Sequence, residues 1–265
     1  MTAEIAELRP PDELILRYNT SAEEFFETAQ AGVAALRHFG LEPHHAVLDP
    51  GCGAGRVAIA LTQYLTSEGR YEGFDLFRDC IDWCAANVTP RYPNFGFTHA
   101  DIATRFDNPG GQIAAADFTF PYGDAEFDFV FLISVFTHML ADGFEQYMSE
   151  IARVMKQGGR LWATFLLLND TTLAQIETER GERQPVHDFG SYRVSTPDYP
   201  EDTVAFREDY VRGVFERLGF ELVEITRGTW ATKEHPGMGM QDGILAVKAG
   251  HPAPDPALQS PLQGA

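Results

Sequence analysis

Basic residues are scarce in this chain, and so are cysteines and long apolar runs. Lysine and arginine number 20 against 39 aspartates and glutamates, a formal charge of −19. A field of that sign repels phosphate backbones and anionic lipid surfaces, and no Lys/Arg-rich run offsets it. A nucleic-acid partner is therefore not expected. The three cysteines, Cys52, Cys80 and Cys84, are an odd and sparse set, which excludes a disulfide framework. Cys80 and Cys84 stand one helical turn apart, but two thiols without nearby histidines make a poor metal site. They read better as small core residues, and no metal is expected. No apolar run approaches the length of a membrane span, and the acidic opening stretch MTAEIAELRPPDELILRYN lacks the apolar core of a signal peptide. The expectation is a cytoplasmic protein without a membrane partner. The sequence leaves its oligomeric state open.

What is present is ample core material. Apolar residues make up 44% of the 265, and twenty are phenylalanine. Strands and helices alternate. Strand patterns fall at 46–49, 71–75, 95–101, 127–134 and 160–168, with helical patterns between them at 55–66, 78–88 and 144–155. A capping-box pattern, Ser21 with Glu24, opens a helix over 21–39 that Gly40 closes. A helix at 208–219 precedes two strands, 220–228 and 243–248, close enough to form a hairpin. This order predicts an α/β fold: a doubly wound, mostly parallel seven-stranded sheet with a terminal antiparallel strand and helices on both faces. Residues 1–20 read as an arm, 21–249 as one domain and 250–265 as a loose tail. Two stretches break the rhythm. Residues 102–126 read as a long loop, and 169–207 as an insertion of the kind that forms a lid.

The sharpest local signal is VLDPGCGAGRVAIAL, residues 47–61, a glycine-rich turn between a strand and a helix. Such turns hold nucleotide-like ligands. The dinucleotide fingerprint fails, because its third glycine position is Arg56. The phosphate-loop pattern fails too, because no Gly-Lys-Ser/Thr follows. An acidic residue, Asp49, at the strand end suggests a ligand that carries an ammonium group.

Asp49-Pro50-Gly51-Cys52-Gly53-Ala54-Gly55 resembles the first motif of the class I methyltransferases that use S-adenosylmethionine. Asp75 in YEGFD and Asp101 in HADI match the acidic residues that end the second and third strands of that family. FPYGDAEFDFVFL and EIARVMKQGGRLW resemble its entries to strands four and five, so the likeness spans roughly residues 20–248. Pro50 departs from the usual aliphatic residue, harmlessly, since the residue before proline prefers an extended backbone. The resemblance implies S-adenosylmethionine as cofactor. It implies cofactor contacts at Asp49, Gly51, Cys52, Gly53, Gly55, Asp75, Leu76, Asp101, Ile102 and Ser134, with Tyr18 and Asn19 as a cover.

In an open parallel sheet the chemistry lies beyond the carboxyl ends of the strands. Two polar groups are expected there as catalytic candidates. His138 follows strand four and is either a base or a loop-orienting residue. Asp170 follows strand five and is either an acceptor contact or part of a helix cap. His187, Asp188, Tyr192, Arg193, Trp162 and Trp230 are further candidates for the acceptor pocket. The reading is methyl transfer to a small organic acceptor, at an oxygen of a metabolite or sugar. Transfer to nitrogen or carbon, and a cofactor-binding subunit without catalysis, are the alternatives.

Overall fold

The computed structural model describes residues 7–17, 21–105, 107–178, 184–231 and 240–249. The expected cover at Tyr18 and Asn19 and the tail 250–265 lie outside the described residues. A short helix α1 (Asp12–Ile15) precedes α2 (Ala22–His38). Ser21 caps α2 in an extended conformation, its Oγ accepting from the Glu24 amide at 3.1 Å. The apolar face of α2, Phe25, Phe26, Ala29, Val33 and Leu36, is buried. Gly40, at φ +93°, ends it in the left-handed region that glycine enters without strain.

Seven strands build the main sheet: β1 (Ala46–Pro50), β2 (Arg70–Asp75), β3 (Phe95–His99), β6 (Phe127–Leu132), β7 (Met155–Phe165), β12 (Phe220–Thr226) and β13 (Asp242–Lys248). Their order is β12-β13-β7-β6-β1-β2-β3. All pairings among β7, β6, β1, β2 and β3 are parallel, whereas β13 pairs antiparallel with both β7 and β12. One strand, β13, thus runs against the other six, as the closely spaced final pair in the sequence predicts. The crossover helices are α3 (Arg56–Leu61), α4 (Arg78–Asn87) and α5 (Ala141–Val154), with α7 (Glu208–Arg217) before the hairpin.

The apolar run of β6 is explained by burial on both faces. Val130 and Leu132 pack into one core with Phe144, Met148 and Ile151 of α5. Phe129 and Phe131 pack into the other core with Phe25 and Leu36 of α2 and Ile59 of α3. Successive side chains point to opposite faces, so an apolar residue is needed at every position.

Two segments differ from the sequence reading. The stretch 102–126 is not a plain loop: β4 (Ile102–Ala103) pairs with β5 (Ile113–Ala114), and a 3-10 turn follows at Ala115–Asp117. The insertion is also partly built. After β8 (Leu167–Leu168), a helix α6 spans Asp170–Thr178, and β9 (His187–Asp188), β10 (Tyr192–Val194) and β11 (Val204–Arg207) join β8 in a small sheet of order β8-β11-β10-β9. Val194, Val204 and Phe206 are fully buried in the same core as Phe144 and Phe165. Strands of two to four residues are too short to show a period of two, which is why the sequence hides them.

Buried Asp242 fixes the far rim of the sheet. Its Oδ2 accepts from the Leu167 amide (2.8 Å) and the Trp230 indole (2.7 Å), and its Oδ1 accepts from the Gly228 amide (3.0 Å). Among the described residues, no helix is long and apolar enough to cross a membrane.

Candidate active site at the carboxyl ends of the strands

The chain leaves β1 through three glycines with positive φ: Gly51 (+84°), Gly53 (+53°) and Gly55 (+75°). The amides of Gly51 and Cys52 both donate to the Phe74 carbonyl, at 2.8 and 3.2 Å, which ties the turn to the end of β2. The Gly53 amide donates to Asp75 Oδ2 at 2.7 Å, and the Phe77 amide to Asp75 Oδ1 at 2.9 Å. Glycine is required for space as well as conformation. A Cβ on Gly55 would lie 2.8 Å from Cys84 Sγ, and one on Gly51 would lie 2.5 Å from Val135 Cγ2. Asp75 therefore braces the turn. Burial pushes its carboxyl up, against the two amides that pull it down.

Beyond this turn opens a cavity of about 740 Å³. Its lining comes from the glycine turn with Asp75, Leu76 and Phe77, from Ile133 to Val135, His138 to Leu140, Asp142 and Gly143 after β6, from Ile102 to Thr104 with Asp107, and from Glu201 and Asp202 of the insertion. Of the residues expected from the sequence, Gly51, Cys52, Gly53, Asp75, Leu76, Ile102, Ser134 and His138 line this one cavity.

Four others do not. Gly55 sits beneath the turn, against Cys84. Asp101 lies after β3 has ended, accepts from Asn108 Nδ2 at 3.2 Å, and borders an adjoining recess with His99 and Asp79. Asp170 is exposed in the first turn of α6, where Asn169 Oδ1 accepts the Thr171 and Thr172 amides, both at 3.1 Å; the capping alternative describes this segment. Asp49 is buried behind the glycine turn, its Oδ2 accepting from the Tyr71 hydroxyl at 2.7 Å.

Burial pushes the Asp49 carboxyl up to about 7, with the Tyr71 hydroxyl pulling the other way. A carboxyl raised this far holds its proton in the native state where the unfolded chain has lost it. Its contribution to stability is full below about pH 4 and is lost as pH rises through about 7. Asp49→Asn removes this loss. The melting temperature of the variant, relative to the parent, is expected to rise between about pH 5 and about pH 8. Thermal unfolding at the two pH values checks it, and an unchanged difference would contradict a protonated Asp49.

His138 ends a 3-10 turn, Phe136–His138, and its Nδ1 lies 3.0 Å from the Glu201 carbonyl oxygen. A carbonyl only accepts, so this contact assigns a proton to Nδ1, and in the neutral ring the lone pair is then on Nε2. Ser134, at φ +60°, stands just before that turn. Its amide donates to Thr164 Oγ1 at 2.8 Å, and its hydroxyl meets the Gln241 side chain, whose Nε2 donates at 2.9 Å.

The other acceptor candidates lie elsewhere. His187 and Asp188 are exposed on β9, Arg193 donates to Asp188, Tyr192 stacks on Phe189, Trp162 stacks on Phe39, and Trp230 donates to Asp242. Glu201, Asp202, Asp107 and Asp142 were not singled out in the sequence yet line the cavity. Among the described residues, no group of three or more His, Cys, Asp or Glu side chains is arranged to hold a metal ion.

Residues 48–163 match a family model described as a methyltransferase domain. The chain is similar in fold to a SAM-dependent methyltransferase from Aquifex aeolicus, at 18% identity and TM-score 0.53, over 93% of this chain and 98% of that one. It is similar to a SAM-dependent methyltransferase from Methanosarcina mazei, at 18% identity and TM-score 0.52, over 81% and 97% of the two chains. It is also similar to magnesium protoporphyrin IX methyltransferase from Synechocystis PCC 6803 with bound SAH, at 18% identity and TM-score 0.53, over 86% and 85%. The first two neighbours are described as SAM-dependent, and the third carries bound SAH. The cavity of this chain would fit a molecule of that kind. Its volume is in the range of cofactor pockets, it opens at the switch point of the sheet, and a buried carboxylate, Asp75, stands where hydroxyl donors would meet it.

Proposed function

We propose that the enzyme methylates an oxygen of a small organic acceptor, with His138 as the base. The observation that carries this reading is the contact between His138 Nδ1 and the Glu201 carbonyl, which leaves Nε2 as a proton acceptor on the cavity wall. The glycine turn and Asp75 would hold the cofactor, with Leu76 and Ile102 beside it. When bound, the cofactor supplies a methyl group already activated by a positive sulfur. The work left to the chain is alignment and proton removal. His138 Nε2 takes the hydroxyl proton of the acceptor. Asp107 lies within electrostatic reach of His138, whose positive form would lower the Asp107 carboxyl. Segment 169–207 would act as a lid over the acceptor, since Glu201 and Asp202 enter the cavity from it. The formal charge of −19 favours a small molecule over a nucleic acid as acceptor.

The test is a panel of candidate acceptors incubated with methyl-labelled cofactor, followed by location of the label in the product. Label on oxygen is the expected result. Label on nitrogen or carbon would replace this reading with one of its alternatives. Cofactor binding without transfer to any acceptor would favour a subunit that binds but does not catalyse.

A further inference from the structure

Most of the described arginines in this acidic chain are paired with carboxylates. Arg70 meets Glu126 at 2.6 Å, Arg153 meets Glu150 at 2.6 Å, and Arg17, which lines the cavity, is gripped by Asp79 at 2.7 and 2.9 Å. Arg56 also lines the cavity, directly after the last glycine of the turn, and it is different. Among the described residues, no carboxylate stands within 4.0 Å of its guanidinium. Its one hydrogen bond runs from Nη1 to Thr28 Oγ1 on α2, at 3.1 Å. The Thr28 hydroxyl proton is turned to main-chain carbonyls, of Glu24 at 2.7 Å and Phe25 at 3.1 Å, so its oxygen accepts from Arg56.

That bond fixes one corner of the guanidinium. Nε and Nη2 have no protein partner among the described residues, and both keep open surface on a half-buried side chain. Burial pulls the guanidinium pKa down from its ordinary value, and Asp49 and Glu24 oppose this only from a distance. Asp49 is a poor counter-charge in any case, since its carboxyl is raised to about 7 and takes the Tyr71 hydroxyl. A cation partly removed from water, with a neutral hydroxyl as its only partner, is built to receive an anion.

We propose that Arg56 holds the carboxylate of the cofactor's methionine part, and so selects against a cofactor that has lost it. The inference rests on the S-adenosylmethionine reading above and assigns a residue to the one anionic group of that molecule. The planar fork offers Nε and Nη2 along one edge, which matches the two oxygens of a carboxylate. With Nη1 already held by Thr28, that edge is oriented before the ligand arrives, so less freedom is lost on binding. With the nucleoside at Asp75 and the carboxylate at Arg56, the sulfur between them is held from two sides, which limits how far its methyl can turn. Decarboxylated S-adenosylmethionine has the same nucleoside and sulfonium but would leave the guanidinium unpaired.

The experiment is calorimetry on the full chain with two ligands: S-adenosylhomocysteine, and S-adenosyl-3-thiopropylamine, which differs from it only by loss of the carboxylate. The parent should bind the first at least about tenfold tighter. Arg56→Gln should lower affinity for S-adenosylhomocysteine at least about tenfold and leave the analogue within about twofold, which erases the preference. Arg56→Lys keeps the charge without the fork and should recover part of it. Equal binding of the two ligands by the parent overturns the proposal, and that comparison stands whether or not a variant folds. An Arg56→Gln protein that loses affinity for both ligands alike also overturns it, since the residue would then only support the turn. Tight binding of S-adenosylhomocysteine without a preference removes Arg56 alone and keeps the cofactor reading. A parent that binds neither ligand overturns the cofactor reading and this inference with it.

Discussion

His138→Ala is expected to lower turnover by about a hundred- to ten-thousand-fold, the usual worth of a positioned base. Affinity for the demethylated cofactor should stay nearly unchanged, because the hydrogen bonds that set the glycine turn and Asp75 do not involve His138. Another histidine, His99, is poorly placed to substitute: it is occupied by Arg78 and by the Leu76 carbonyl, in the recess next door. Initial rates, with calorimetry on the same sample, check both halves. Parent-like turnover would remove His138 from the mechanism. Alignment alone against the sulfonium would then be enough.

Gly53→Val should abolish measurable cofactor binding, a loss of at least about a hundredfold. Gly53 sits at φ +53° and lines the cavity. A left-handed residue with a Cβ costs about 1–2 kcal/mol, and a branched side chain raises that figure. Relaxing the strain would pull the amide from Asp75 Oδ2, a bond to a charged group worth about 1.5–3 kcal/mol. The branched side chain would also fill part of the cavity. The effect should be local, since β1 keeps its pairings with β2 and β6. The near- and far-ultraviolet circular dichroism should match the parent. Parent-like affinity in this variant would place the cofactor elsewhere.

The parts of this site legible in the sequence are those under hard geometric constraint. The glycine turn, Asp75 and the apolar runs of β6 and β7 each permit few residue types, so their pattern survives in the sequence. Asp49 shows how position alone misleads. It stands at the end of β1 as a ligand contact would, but β1 pairs with β2 so that Asp49 lies opposite Gly73. The space left there admits the Tyr71 hydroxyl, and the carboxyl faces inward. Asp101 was read as the end of a longer third strand, but β3 stops at His99 and the turn carries Asp101 to the neighbouring recess. Glu201, Asp202 and Asp107 gave no signal. They lie in irregular segments far apart in the chain, and acidic residues are too common here, at 39, for any three to stand out.

The reversed direction of β13 bears on the order in which the cavity is completed as the chain is made. A strand that runs against its neighbours delivers its first residues, not its last, to the rim where the other strands end. Gln241 and Asp242 arrive there for that reason, and Gln241 secures Ser134, which was synthesised 107 residues earlier. The glycine turn and Asp75 meet across only 22 residues. On the ribosome, the glycine turn has its carboxylate partner early. Ser134 waits for almost the whole domain to emerge before its side-chain partner arrives, so the two parts of the cavity lining are completed at different times.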